Sequence, residues 1–153
     1  MKISRILPAA LIILLPVFCF AQAKSAAKTQ PSQATDAQAI RSSPAYSEVL
    51  LRKAELEADV ESLLVDHTDD FPKIQEERYA LTVIDAEMKK LLAVKPSDVS
   101  KLTLALGKLM VRKVEVETEL WRLRKQYSND HPEVKRAKKK AEIFEKAINE
   151  ILG

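Results

Sequence analysis

Residues 110–152 read MVRKVEVETELWRLRKQYSNDHPEVKRAKKKAEIFEKAINEIL. Two runs rich in Leu, Glu, Lys and Arg flank Ser128-Asn129-Asp130-His131-Pro132. A proline lacks an amide donor and clashes with the preceding turn, so Pro132 ends one helix and suits the first turn of the next. The apolar residues Val116, Leu120, Leu123 and Tyr127 before the break, and Val134, Ala137, Ala141, Phe144, Ile148 and Ile151 after it, recur at steps of three and four. That 3.5-residue period marks a coiled-coil-like seam on each helix. The stretch is therefore a helix, a turn formed by Asp130, His131 and Pro132, and a second helix folded back on the first. Asp130 and Glu133 have capping-box spacing, which predicts reciprocal hydrogen bonds at the start of the second helix.

The same pattern occurs sixty residues earlier. Residues 50–92 align with 110–152 without a gap, matching Arg52, Lys53, Glu55, Glu57, Leu63, Asp70, Pro72 and Leu92 to Arg112, Lys113, Glu115, Glu117, Leu123, Asp130, Pro132 and Leu152. The apolar phase is shared as well: Val49, Leu56, Val60 and Leu63 precede the Asp70 and Pro72 turn, and Ile74, Leu81, Ile84, Met88 and Leu91 follow it. Lys53 and Lys113 interrupt the seam at equivalent points. Flanking Leu50, Ala54, Met110, Val114 and Trp121 broaden the stripes, favouring packing of one hairpin on the other or on a second chain. The units differ in charge. Residues 50–92 carry six basic and eleven acidic residues, net −5, and residues 110–152 carry eleven and eight, net +3.

A third break at Lys95-Pro96-Ser97-Asp98 separates the units. The predicted helices span 45–68, 72–94, 98–127 and 132–152. The fold class is all-α: two tandem antiparallel helical hairpins, at 44–94 and 99–153 with a connector at 95–98, forming a four-helix bundle or an extended coiled-coil assembly.

Ahead of the hairpins, residues 24–43 are rich in Ala, Ser, Thr and Gln without a sustained apolar period, the composition of a flexible tether. Residues 1–23, MKISRILPAALIILLPVFCFAQA, have the three parts of a cleaved secretory signal. Lys2 and Arg5 precede an apolar run from Ile6 to Phe20, and Ala21-Gln22-Ala23 is a small-x-small site. The run is short for a bilayer-spanning helix. Cleavage after Ala23 removes the sole cysteine, Cys19, and lowers the formal charge from +3 to +1. A mature chain of this kind has no disulfide or thiolate chemistry, and its near-neutral charge gives no reason to expect nucleic-acid binding. The expected location is the periplasm or the extracellular medium.

Candidate chemistry is sparse. His67 and His131 lie near the two turns with Asp66, Asp69, Asp70 and Asp130, but without the spacing that sets two ligands on one helical face. Glu55 with Asp59, and Glu115 with Glu119, lie one turn apart in charged surroundings that suit a solvated face. No catalytic, metal or cofactor-binding residue is assigned, and no cofactor is expected. The candidate partner-binding residues are Trp121, Met110, Val114 and the basic run Lys135, Arg136, Lys138, Lys139 and Lys140. No aromatic residue interleaves with that run, so base stacking has no support.

Residues 120–148, LWRLRKQYSNDHPEVKRAKKKAEIFEKAI, resemble the periplasmic coiled-coil tip of bacterial chain-length-determinant and exopolysaccharide-export proteins, in which a Tyr, then a His-Pro and an apolar residue mark the turn. Tyr127, His131, Pro132 and Val134 match. The first unit keeps Asp70, Pro72 and Ile74, with Phe71 at the His position and His67 at the Tyr position. The resemblance implies hairpin geometry; the family's transmembrane helices and cytoplasmic kinase have no counterpart here, and polymer-length control is not carried over. The expected function is an exported, non-enzymatic helical adaptor or scaffold for an envelope or secreted protein partner. A homodimer and contact with an anionic polymer or membrane surface are the further partners considered. The alternative is a periplasmic chaperone or stress sensor that binds nonnative clients.

Overall fold

The computed structural model describes residues 32–153. The expected signal at 1–23 and the first part of the expected tether lie outside them. All regular structure among the described residues is helical: α1 Ser32–Arg41, α2 Pro44–Leu64, α3 Pro72–Leu92, a 3-10 turn Pro96–Lys101, α4 Leu104–Gln126 and α5 Pro132–Leu152. None of these helices is long and apolar enough to cross a membrane.

Each helix start has a local cause. The Ser43 hydroxyl accepts from the Tyr46 amide at 3.2 Å, and Pro44 supplies a preset φ for the first turn of α2. Sixty residues on, the Thr103 hydroxyl accepts from the Leu106 amide at 3.3 Å to start α4. α3 and α5 both begin on proline and keep the sixty-residue offset from end to end. The turns match too. His67 stacks on Phe71 with centroids 3.9 Å apart, and Tyr127 stacks on His131 at 4.2 Å.

Several boundaries differ from those expected. Residues 32–41, expected to be tether, form α1, and Ile40 at its end is buried in the main core. Low overall apolarity concealed one well-placed anchor. Residues 98–103 are not the start of α4, because Leu102 turns inward to 1 % exposure, its carbonyl accepts from the Ala45 amide, and the Thr103 cap begins the helix afresh. The expected capping box does not form. His131 caps α5 through Nδ1, which accepts from the Glu133 amide, while Asp130 points to solvent and pairs with Lys135.

α2 packs on α3 and α4 packs on α5, giving two hairpins; α4 also lies against both α2 and α3. α2 and α4 run side by side in the same direction, close enough that Gly107 meets Ala45 and Glu48. The main core runs through Val49, Leu56, Ile84, Leu91, Leu106, Met110, Val114 and Ile148, and a smaller cluster of Leu120, Leu123, Val134 and Ala137 holds the turn end of α4 and α5.

Candidate functional site

Lys113 sits at the centre of the hairpin contact with its residue 7 % exposed. Its Nζ lies 2.6 Å from Glu87 Oε1 on α3, 3.0 Å from Glu117 Oε1 on α4 and 3.0 Å from Glu145 Oε2 on α5. Lys90 completes the cluster, 3.0 Å from Glu87 and 2.9 Å from Glu145. Removing a charge from water costs several kcal/mol unless it is closely paired, and these short contacts supply the pairing. Burial opposes the charged form of Lys113, but its hydrogen bonds to Glu87, Glu145 and Glu117 outweigh that and hold its pKa above the ordinary lysine value. Burial likewise opposes ionisation of Glu145, and the bonds from Lys90 and Lys113 outweigh it to lower its pKa. The seam interruption that looked like a defect in one helix is the point where three helices are tied.

Beside this cluster an open groove of about 880 Å³ runs along α4 and α5, with Lys90 of α3 at its edge. Leu120 and Ala141, each 8 % exposed, form its narrow apolar floor, and Lys90, Arg124, Lys138 and Glu142 give it charge. A groove with apolar surface and charges of both signs suits an amphipathic helix.

The expected partner-binding residues separate into three places. Met110 and Val114 are core residues with 0 % and 1 % exposure, so the expectation that they meet a partner is corrected. α4 is covered on more than one side and buries a face wider than one seam. Trp121 is half-buried, stacked on Tyr79 of α3 with centroids 5.1 Å apart, and Lys125 Nζ lies 3.6 Å from its ring centroid. It joins the two hairpins rather than standing free. Lys135, Arg136, Lys138, Lys139 and Lys140 are all exposed on α5. Three of them pair locally, Lys135 with Asp130 at 3.1 Å, Arg136 with Glu133 at 2.5 Å and Lys139 with Glu142 at 3.3 Å. Of the run, Lys138 lines the groove.

The cluster around the buried Glu87 escaped sequence reasoning, because it brings α3 of one hairpin against α4 and α5 of the other. The sixty-residue offset carried a partial signal, since Lys113 has its own equivalent in Lys53. Asp70 accepts a hydrogen bond from the Thr68 hydroxyl, and Pro72 opens α3, as Pro132 opens α5. Glu55 and Glu115 each pair with an arginine three residues earlier, at 3.0 and 2.6 Å. Among the described residues no group of three or more His, Cys, Asp and Glu side chains is arranged to hold a metal ion. No family model, curated protein or solved structure matches the chain.

Proposed function

We propose that the chain is an exported, non-enzymatic helical adaptor or scaffold that acts by contact, and that its working surface is the groove along α4 and α5. The supporting observation is that groove itself, with Leu120 and Ala141 in its lining and Lys90, Arg124, Lys138 and Glu142 around them. On this reading the hairpins form an open four-helix unit in which α4 is central, and a helix from an envelope or secreted partner lies beside α5 with its apolar stripe toward Leu120. The charged lining sets its orientation more than its affinity.

The test is affinity capture from cells that export the chain, comparing wild type with Arg124→Glu plus Lys138→Glu. Selective loss of one envelope component, with helicity unchanged, supports the groove. An unchanged set of captured proteins removes it as the working surface.

A further inference from the structure

Hairpin 1 has a face that the chain itself covers. α4 lies across α2 and α3, and Val49, Leu56, Ile84 and Leu91 there are 0 % exposed, with Val83 at 8 %. Their sixty-residue equivalents in hairpin 2 are Leu109, Val116, Phe144, Ile151 and Ile143. The first four are only half-buried and Ile143 is 57 % exposed. Hairpin 2 thus carries the same apolar face: at its base Leu109 and Ile151 pack against the main core and the Pro96–Lys101 turn meets α5, while Val116, Phe144 and Ile143 form the part that a second helix would cover.

The helix that lies along this face in hairpin 1 is α4, joined by Ile40 of α1, and the equivalent of α4 is α2. α4 seats through Met110, Val114, Thr118 and Trp121, matched on α2 by Leu50, Ala54, Ala58 and Glu61, all exposed. We infer that α2 of a second copy seats on the α4 and α5 face of hairpin 2, in the register that α4 uses on hairpin 1.

Charge in that register is complementary. Within the chain Tyr79 meets Trp121; shifted by sixty residues, Lys139 of one copy meets Glu61 of the next. Within the chain Glu76 and Ala80 lie in one cleft with Glu115 and Glu119; shifted, Arg136 and Lys140 face Glu55 and Asp59. The first cleft mixes Glu76, Glu115 and Glu119 with Lys73 and Arg122, whereas the shifted one sets Arg136 and Lys140 against Glu55 and Asp59, with Glu133 in the place of Lys73. Glu87 beside Lys113 becomes Ala147 beside Lys53, with Glu150 in the place of Lys90 as the nearby charged group. At the base the fit loosens. Gly107, which packs on Ala45, is replaced by Ser47, so the second α2 stands further off there.

The two surfaces differ, so the contact is heterologous: each copy offers α2 at one side and the hairpin 2 face at the other, and assembly proceeds head to tail. These surfaces lie apart from Lys138, Leu120 and Arg124, and the inference does not rest on the groove as a partner site.

The test is sedimentation velocity of the full chain over a concentration series. The wild type is expected to form species beyond the monomer as concentration rises, weakened by added salt. Variant one, Ala54→Arg plus Ala58→Arg, blocks α2. Variant two, Arg136→Gln, Lys140→Gln and Ile143→Gln, blocks hairpin 2. Each alone is expected to stay monomeric, and an equal mixture to stop at a dimer, since it holds one working surface of each kind. Asp59→Asn plus Glu61→Gln, at exposed sites, is expected to weaken wild-type association without loss of helicity. A monomeric wild type, association that persists in both blocked variants, or a mixture that stays monomeric overturns the inference. None of these readouts depends on a captured partner.

Discussion

Lys53 and Lys113 hold the same place in two hairpins sixty residues apart and pair with equivalent acids, yet one is partly solvated and the other is buried. Lys53 Nζ lies 2.7 Å from Asp85, and Lys113 Nζ lies 3.0 Å from Glu145, the residue sixty positions after Asp85. The Lys53 side chain is 27 % exposed and that of Lys113 is 9 % exposed. The difference comes from α3, which brings Glu87 across Lys113 at 2.6 Å. Equivalent sequence positions therefore carry unequal energetic weight.

Lys113→Met is expected to destabilise the fold by about 2 to 4 kcal/mol, because it strands Glu87 with only Lys90 to neutralise it. Lys53→Met, whose acids reach solvent, is expected to cost less than about 1 kcal/mol. Urea unfolding followed by Trp121 fluorescence measures both. Similar losses in the two variants would contradict the assigned asymmetry.

Gly107→Ala offers a test of opposite tendencies. Alanine favours a helix over glycine by about 1 kcal/mol. Here its Cβ would lie 2.8 Å from Glu48 Cβ and 3.0 Å from the Ala45 backbone, so α2 and α4 must move apart. Overpacking is expected to win, with a net loss of about 1 to 2 kcal/mol in chemical unfolding. A stabilised variant would show that the two helices can separate freely.

The two hydroxyl caps should behave as a pair. Ser43→Ala and Thr103→Ala each remove the acceptor for the amide three residues on, and each is expected to cost about 1 kcal/mol by thermal or urea unfolding. A neutral Thr103→Ala would mean that α4 does not depend on its cap.

The ionic cluster gives a defined pH response. Glu145 has a folded pKa below its ordinary value of 4.5, so its contribution is present at neutral pH and is lost as pH falls through that lowered value. Lys113 is raised above 10.5, so its contribution is present below that value and lost only as pH rises through the folded pKa. Glu145→Gln is expected to make stability fall less steeply between about pH 5 and about pH 3 than in wild type, measured from urea midpoints. An equally steep acid limb would remove Glu145 from the cluster's acid response.

The positions of Pro72 and Pro132 made both turns legible, because proline constrains the backbone whatever surrounds it. The helical character of the intervening runs was legible from their Ala, Leu, Glu, Lys and Arg content and their apolar period, which are also local. Which stripe of α4 faces inward was not. Met110 and Val114 lie off the seam drawn through Val116 and Leu120, and only the placement of α2, α3 and α5 around α4 shows that the wider face is buried. Asp130 had the right spacing for a cap, but the His131 ring, held against Tyr127, reaches the Glu133 amide instead. α1 was hidden because its anchoring depends on Ile40 meeting a core built from residues far along the chain.

The groove reading is tested most directly by a photo-crosslinking residue placed at Lys138, on the groove, and separately at Asp66, in the exposed turn of hairpin 1, in cells exporting the chain. One discrete adduct with an envelope or secreted protein is expected from position 138 and not from position 66. No adduct at 138, or the same adducts from both positions, would contradict a partner helix seated in the groove along α4 and α5.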